Sequence, residues 1–170
     1  MKKVLASTAL IATLLAGCTT EVETVGPDKT TVNKPAEQQQ QQAKVYKLGE
    51  TVKVDGLEIQ ITSAKYTKPA EYGPAKNGKV LTLEVATSNT GQTQALVDNV
   101  AFNLYDKDGN KMEPYFSYDE MAITGQVNAG KKLNGKLYYD VKEGEKFELV
   151  YVPMLSMDQK EIKFEIIPSK

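Results

Sequence analysis

The sequence predicts an all-β protein: an antiparallel sandwich of two sheets, each with one face buried, spanning about 120 residues. Three observations predict it. Apolar and polar residues alternate in short runs such as Leu57-Glu58-Ile59-Gln60-Ile61 and Glu161-Ile162-Lys163-Phe164-Glu165-Ile166, which is the period of a half-buried strand. Turn signals separate these runs every 8–15 residues or so, giving roughly seven to nine strands. No stretch holds a helical apolar period for three turns.

The elements follow in chain order from Val45, where the alternation begins. Thr51–Val54 precedes Asp55-Gly56, a two-residue hairpin signal that returns the chain into Leu57–Ile61 and more weakly on to Tyr66. Pro69, Gly73-Pro74 and Asn77-Gly78 then interrupt. Val80–Ala86 reads as a central strand with Leu81, Leu83 and Val85 on one face, closed by Asn89-Thr90-Gly91. Val97–Tyr105 reads as one strand with Val100, Phe102 and Leu104 on one face, ending at Asp106–Asn110. Around Lys111–Tyr118 the chain is aromatic but carries Pro114, so an edge strand or loop is expected. Val127–Gly130 turns into Lys132–Val141, whose Leu133, Leu137 and Tyr139 alternate. Glu143-Gly144-Glu145 turns again into Phe147–Val152, and Glu161–Ile166 is the last strand.

Ahead of this domain lies a different kind of sequence. Lys2 and Lys3 precede an uncharged, mostly apolar run, Val4–Leu15, and then Ala16-Gly17-Cys18. A basic start, a short apolar core and small residues at a cleavage point make an export signal. The run is far short of the roughly 20 apolar residues a membrane span needs. With the chain's only cysteine directly after Ala-Gly, the pattern resembles the lipobox of bacterial lipoproteins. That resemblance implies cleavage between Gly17 and Cys18, acylation of the Cys18 thiol and membrane lipid as a partner. Residues 18–45 follow as a lipidated N-terminus and linker, rich in Thr, Pro and Gln and including the run Gln38–Gln42. They have too few large apolar side chains to offset the entropy of ordering. As a flexible tether this segment holds the domain on the order of 30 Å from the lipid. The expected organisation is therefore signal 1–17, linker 18–45 and sandwich 46–170, on the extracytoplasmic face of the cell membrane.

Composition narrows the chemistry. All 21 basic residues are lysine, so there is no guanidinium fork for bidentate phosphate or carboxylate recognition. Loss of residues 1–17 leaves 19 lysines against 22 acidic residues, and a net acidic chain gives nucleic acid little to bind. Histidine is absent, which removes the usual general base and commonest metal ligand. Acylation of Cys18 removes the thiol as well, leaving no Ser-His-Asp, Cys-His or ordinary zinc arrangement. No cofactor and no catalytic set is expected. The arginine-free, lysine-rich composition also fits a low-GC Gram-positive source.

Ser88-Asn89-Thr90-Gly91 closing one strand, Leu104-Tyr105-Asp106-Lys107-Asp108-Gly109 ending another, and Asn128-Ala129-Gly130-Lys131 before Gly135-Lys136-Leu137-Tyr138-Tyr139 together resemble the DUF4352 family of bacterial exported proteins. The likeness covers most of residues 47–167. It implies an immunoglobulin-like sandwich, similar to secreted mycobacterial immunogenic proteins, and supplies no catalytic residues.

Four constellations carry possible chemistry. Asp106–Asn110 has its glycine fourth and Ser117 twelfth, against the sixth-position glycine and twelfth-position glutamate of an EF-hand loop. A hairpin turn, with Asp108-Gly109 at positive φ, explains it better. Met112, Met121, Met154 and Met157 lack the histidine or cysteine that copper sites commonly add, and read as packing. Asp119-Glu120 and Glu143/Glu145 read as solvated turn residues. The most aromatic stretch contains Tyr115, Phe116, Tyr118 and Met121. Those residue types are enriched at interfaces, so these four are the candidate recognition patch, with Tyr66–Tyr72 a weaker one. The expected function is a non-catalytic binding module for a protein or cell-envelope partner. A small-molecule or metal-binding lipoprotein, or a structural spacer, is the alternative.

Overall fold

The computed structural model describes residues 22–24, 44–144, 146–154 and 160–169. Gly17, Cys18, Gln38–Gln42, Glu145 and Met157 lie outside them. Twelve strands and one 3-10 turn are described. The strands are β1 (Val22–Thr24), β2 (Val45–Tyr46), β3 (Thr51–Val54), β4 (Leu57–Thr67), β5 (Lys79–Asn89), β6 (Ala95–Asp98), β7 (Phe102–Tyr105), β8 (Glu113–Pro114), β9 (Thr124–Val127), β10 (Lys132–Val141), β11 (Phe147–Tyr151) and β12 (Ile162–Ile166). One sheet runs β1-β3-β4-β5-β10-β8, a second β2-β12-β11-β7, and β6 pairs with β9 alone. All pairings are antiparallel except β2 with β12. The expected sandwich is what forms. The excess over nine strands comes from β1, β2 and β8, each of two or three residues.

The core lies between the two sheets. Ile59, Ile61, Leu81, Leu83 and Leu137 of the six-stranded sheet meet Leu104, Leu149, Phe164 and Ile166 of the four-stranded sheet. Burial of large aliphatic side chains contributes about 1.5–3 kcal/mol each, and strict alternation lets each strand supply them on one face. Tyr139 also bridges the sheets, its hydroxyl donating to the Phe102 carbonyl at 3.0 Å.

The β3–β4 hairpin turns at Asp55 (φ 49) and Gly56 (φ 80), the pair of positive φ angles that a two-residue turn of the right twist requires. The Ser-Asn-Thr-Gly motif holds that turn. Thr90 Oγ1 donates to the Gly56 carbonyl at 3.0 Å, while the buried Asn89 amide donates to the Thr93 and Val127 carbonyls, each at 2.7 Å. Along β4 the register shifts between Ile61 and Ser63. One extra residue in a bulge switches the buried parity, from Leu57, Ile59 and Ile61 to Ala64.

Three expectations need correction. Val97–Tyr105 is not one strand: Asp98 accepts from the Val100 N–H at 3.0 Å and caps a 3-10 turn over Asn99–Ala101. The turn carries the chain from β6 to β7 and leaves Val100 65% exposed rather than in the core. In the 106–110 turn, Gly109 takes positive φ and Asp108 does not. Finally, residues 18–45 are not linker throughout, because Val22–Thr24 form β1 on the free edge of β3.

Candidate recognition surface

The outer face of the six-stranded sheet should be wet, yet part of it is dry. Val80 and Tyr138 point away from the main core and form a second cluster with Tyr115, against which Ala70, Ala75, Tyr118 and Ala122 pack. Two loops build this cover: 68–78, after β4, and 115–123, after β8. Pro114 stands on the sheet edge, where its missing N–H costs no ladder bond.

Tyrosine hydroxyls fasten both loops. The Tyr115 hydroxyl accepts from Ala70 N–H at 2.8 Å and donates to the Gly73 carbonyl. The Tyr118 hydroxyl donates to the Lys68 carbonyl at 2.7 Å and lies 2.8 Å from Thr67 Oγ1. Tyr118 packs edge-on against Tyr115 and Tyr138, with ring centroids 4.9 and 5.0 Å away, a favoured arrangement of aromatic quadrupoles. Burial, with the Glu120 carboxylate next in effect, pushes the Tyr138 hydroxyl up to about 12. The buried Asp140 carboxylate accepts from the Lys76 and Asn77 N–H groups at 2.7 and 2.8 Å. Glu120 pairs with Lys136 at 2.7 Å, and that bond holds the glutamate carboxyl below its ordinary range.

The loops also touch each other. A Cβ on Gly73 would lie 2.2 Å from Ser117 Cβ, so close approach demands glycine here. Tyr72 and Phe116 flank this contact and face outward, 94% and 74% exposed, and Met121 farther along the second loop is 79% exposed. The four residues singled out in the sequence therefore divide. Phe116 and Met121 are surface groups. Tyr115, at 5% exposure, is corrected from contact residue to internal fastener, and Tyr118 shares that role. Tyr72 joins the exposed set. The sequence reading takes Gly73 only as a break in the chain and passes over Asp140, although an acidic residue inside Leu137–Val141 signals a buried partner.

A second concavity lies at one end of the sandwich, about 790 Å³ in volume, lined by Asn77, Asn110, Met112, Lys142 and Phe147 among others. One wall is fixed by Tyr66, whose hydroxyl donates to the Gly144 carbonyl at 2.6 Å and accepts from its N–H at 2.9 Å. The opposite wall is the 106–110 turn, where Asp106 Oδ1 accepts from the Asp108 and Asn110 N–H groups at 2.9 and 2.8 Å. Asn110 is the main cause holding that carboxyl below its usual range. The carboxylate is thus engaged in shaping its own turn.

Comparison with known proteins gives a concordant picture. The family described as a domain of unknown function, DUF4352, matches residues 46–162. The uncharacterized lipoprotein YcdA of Bacillus subtilis strain 168 is 33% identical over 111 residues, 62% of this chain and 31% of its own length. Its crystal structure gives a TM-score of 0.58 at 30% identity, covering 68% of this chain and 38% of that one. The uncharacterized lipoprotein YjhA of the same strain is 29% identical over 129 residues, 66% of this chain and 61% of its own. Its structure gives a TM-score of 0.58 at 22% identity, covering 72% of this chain and 99% of that one. The chain thus spans under a third of one curated relative and about three fifths of the other. A secreted protein of Mycobacterium tuberculosis, MPT63, is also similar, at 13% identity and a TM-score of 0.47 over 69% of this chain and 84% of that one.

Proposed function

The chain belongs to the DUF4352 family, and from that membership we propose that it is an extracytoplasmic lipoprotein, anchored through acylated Cys18, whose sandwich is a non-catalytic binding module. The single observation that carries the binding role is the loop pair bearing Tyr72, Phe116 and Met121, exposed outside and fastened beneath by Tyr115, Tyr118 and Asp140. Isolated apolar residues on a surface are ordinary. Three on two loops tied to the sheet and to each other by side-chain hydrogen bonds are a prepared surface, since less loop entropy is left to lose on association. Aromatic and methionine side chains suit a protein partner in the envelope. The anchor is supported by the Lys-apolar-Ala-Gly-Cys order at the N-terminus and by relatives that are named lipoproteins.

Two experiments test this reading. Cys18→Ala abolishes incorporation of labelled palmitate and leaves uncleaved precursor; unchanged labelling refutes the anchor. The combined Tyr72→Ala, Phe116→Ala and Met121→Ala variant keeps its melting temperature but loses retention on isolated cell envelopes; undiminished retention refutes the surface. A second reading, a small-ligand lipoprotein, is favoured by the 790 Å³ end cavity, which falls in the volume range of ligand sites. A saturable ligand from a metal and metabolite panel would raise the melting temperature and decide for it.

A further inference from the structure

Strand β1 changes what the segment between anchor and domain does. Val22 stands opposite Val54, Glu23 opposite Lys53 and Thr24 opposite Val52 in antiparallel register. The pairing occupies the edge that β3 would otherwise present to solvent, and an unpaired edge is a template for any extended chain.

We propose that β1 shortens the anchor, seating the β3 edge against the lipid surface and turning the β8 edge, with the loop that carries Phe116 and Met121, away from it. This placement rests on the acylation of Cys18 proposed above. Four residue steps separate Cys18 from Val22, a reach of at most about 14 Å. Were the whole segment to Lys44 a free tether, its span would be on the order of 30 Å with every orientation of the domain allowed. The sheet order β1-β3-β4-β5-β10-β8 then sets the geometry. From β3 to β8 there are four strand spacings, about 19 Å in all. The anchor enters at one edge and the loop carrying Phe116 and Met121 leaves from the other, where loop 68–78, which follows β4, crosses the outer face to meet it at Gly73 and Ser117; Phe116 and Met121 are thereby presented outward. The sheet, with β1 as its membrane-side edge, acts as a spacer of fixed length.

The test uses the full mature lipidated chain in vesicles of phosphatidylcholine and phosphatidylglycerol carrying an acceptor dye on the lipid. Acylation consumes the only native thiol, so a single introduced cysteine takes the donor uniquely, either Thr51→Cys on β3 or Glu113→Cys on β8. Energy transfer to the lipid is expected to be severalfold stronger from position 51 than from position 113. Val22→Pro with Thr24→Pro removes two backbone donors from β1; it is expected to weaken transfer from position 51 and bring the two positions toward equality, with the β-type circular dichroism unchanged. Hydrogen exchange over Thr51–Val54, faster in the proline variant, reports the same opening without lipid. Equal transfer from both positions in the parent, or indifference to the prolines, overturns the placement while leaving the anchor intact. Failure to incorporate palmitate overturns the anchor itself, and the placement with it.

Discussion

Gly73→Ala is the sharpest perturbation of the loop pair. The added Cβ lands 2.2 Å from Ser117 Cβ and 2.3 Å from Ser117 Oγ, with the Tyr115 hydroxyl next at 3.5 Å. Gly73 is not among the residues at positive φ, so alanine meets no backbone strain and by itself would stabilise the fold by about 0.4–1 kcal/mol through the unfolded chain. Against this stands overpacking, at about 1–3 kcal/mol. If the loops part to relieve it, the two hydrogen bonds of Tyr115 to Ala70 and Gly73 weaken as well, at about 1 kcal/mol each. Steric loss exceeds entropic gain, and the variant should be less stable by about 1–3 kcal/mol. Ser117→Gly removes both close atoms and leaves only the ordinary contact with Tyr115. The double variant should therefore recover most of the loss, a positive coupling that a thermodynamic cycle in urea measures directly. An unaffected single variant, or a double variant no better than the single, would refute the contact between the loops.

Two further perturbations probe the same layer and the core. Asp140→Ala deletes a carboxylate that accepts two backbone N–H groups; charge-assisted bonds contribute roughly 1.5–3 kcal/mol each, so urea unfolding should show a loss of at least about 2 kcal/mol, with faster hydrogen exchange at Lys76 and Asn77. A variant as stable as the parent would contradict the capping role. Alkali should unfold the domain through its buried phenols. Burial pushes the Tyr151 hydroxyl up to about 12, with a smaller contribution from Asp55, burial likewise raises Tyr138 to about 12, and Tyr139 goes higher still. Above about pH 10 the unfolded chain loses these protons and the folded one keeps them, so stability is intact below pH 10. It falls by about 1.4 kcal/mol per pH unit per tyrosine until each folded-state value is passed. A spectrophotometric titration in which all nine tyrosines ionise together near pH 10 with the fold retained would contradict this.

What the sequence made legible, it did so through alternation and turns. Ile59, Ile61, Leu83 and Phe164 obey the period of two, and Asp55-Gly56 names its own turn. Val100 shows where the period misleads: a side-chain cap from Asp98 inserts a 3-10 turn, and parity is lost across it. The cover on the outer face was harder to read because it depends on contacts distant in sequence. Nothing local to Tyr115 reveals that its hydroxyl meets Ala70 and Gly73. An aromatic beside proline in an irregular loop looks the same whether it faces solvent or a neighbouring loop. The strand at Val22–Thr24 was invisible for a related reason, since three residues carry no measurable period and their partner lies across the hairpin edge. By contrast, the motifs shared with the family proved structural. Asn89 and Thr90 tie turns together, and Asp106 folds its own loop, which is why a family likeness yields the fold and not the partner.

Photocrosslinking in intact cells shows whether the outer loop pair is a recognition surface. A photoreactive side chain replaces Phe116 in the lipidated protein, with a control carrying the same probe at exposed Asp108 on the 106–110 turn. One discrete protein adduct is expected from position 116 and none from position 108, with loss of that adduct when Tyr72 and Met121 are changed to alanine in a chain whose melting temperature is unchanged. Equal labelling from both positions, or an adduct indifferent to Tyr72 and Met121, would contradict it.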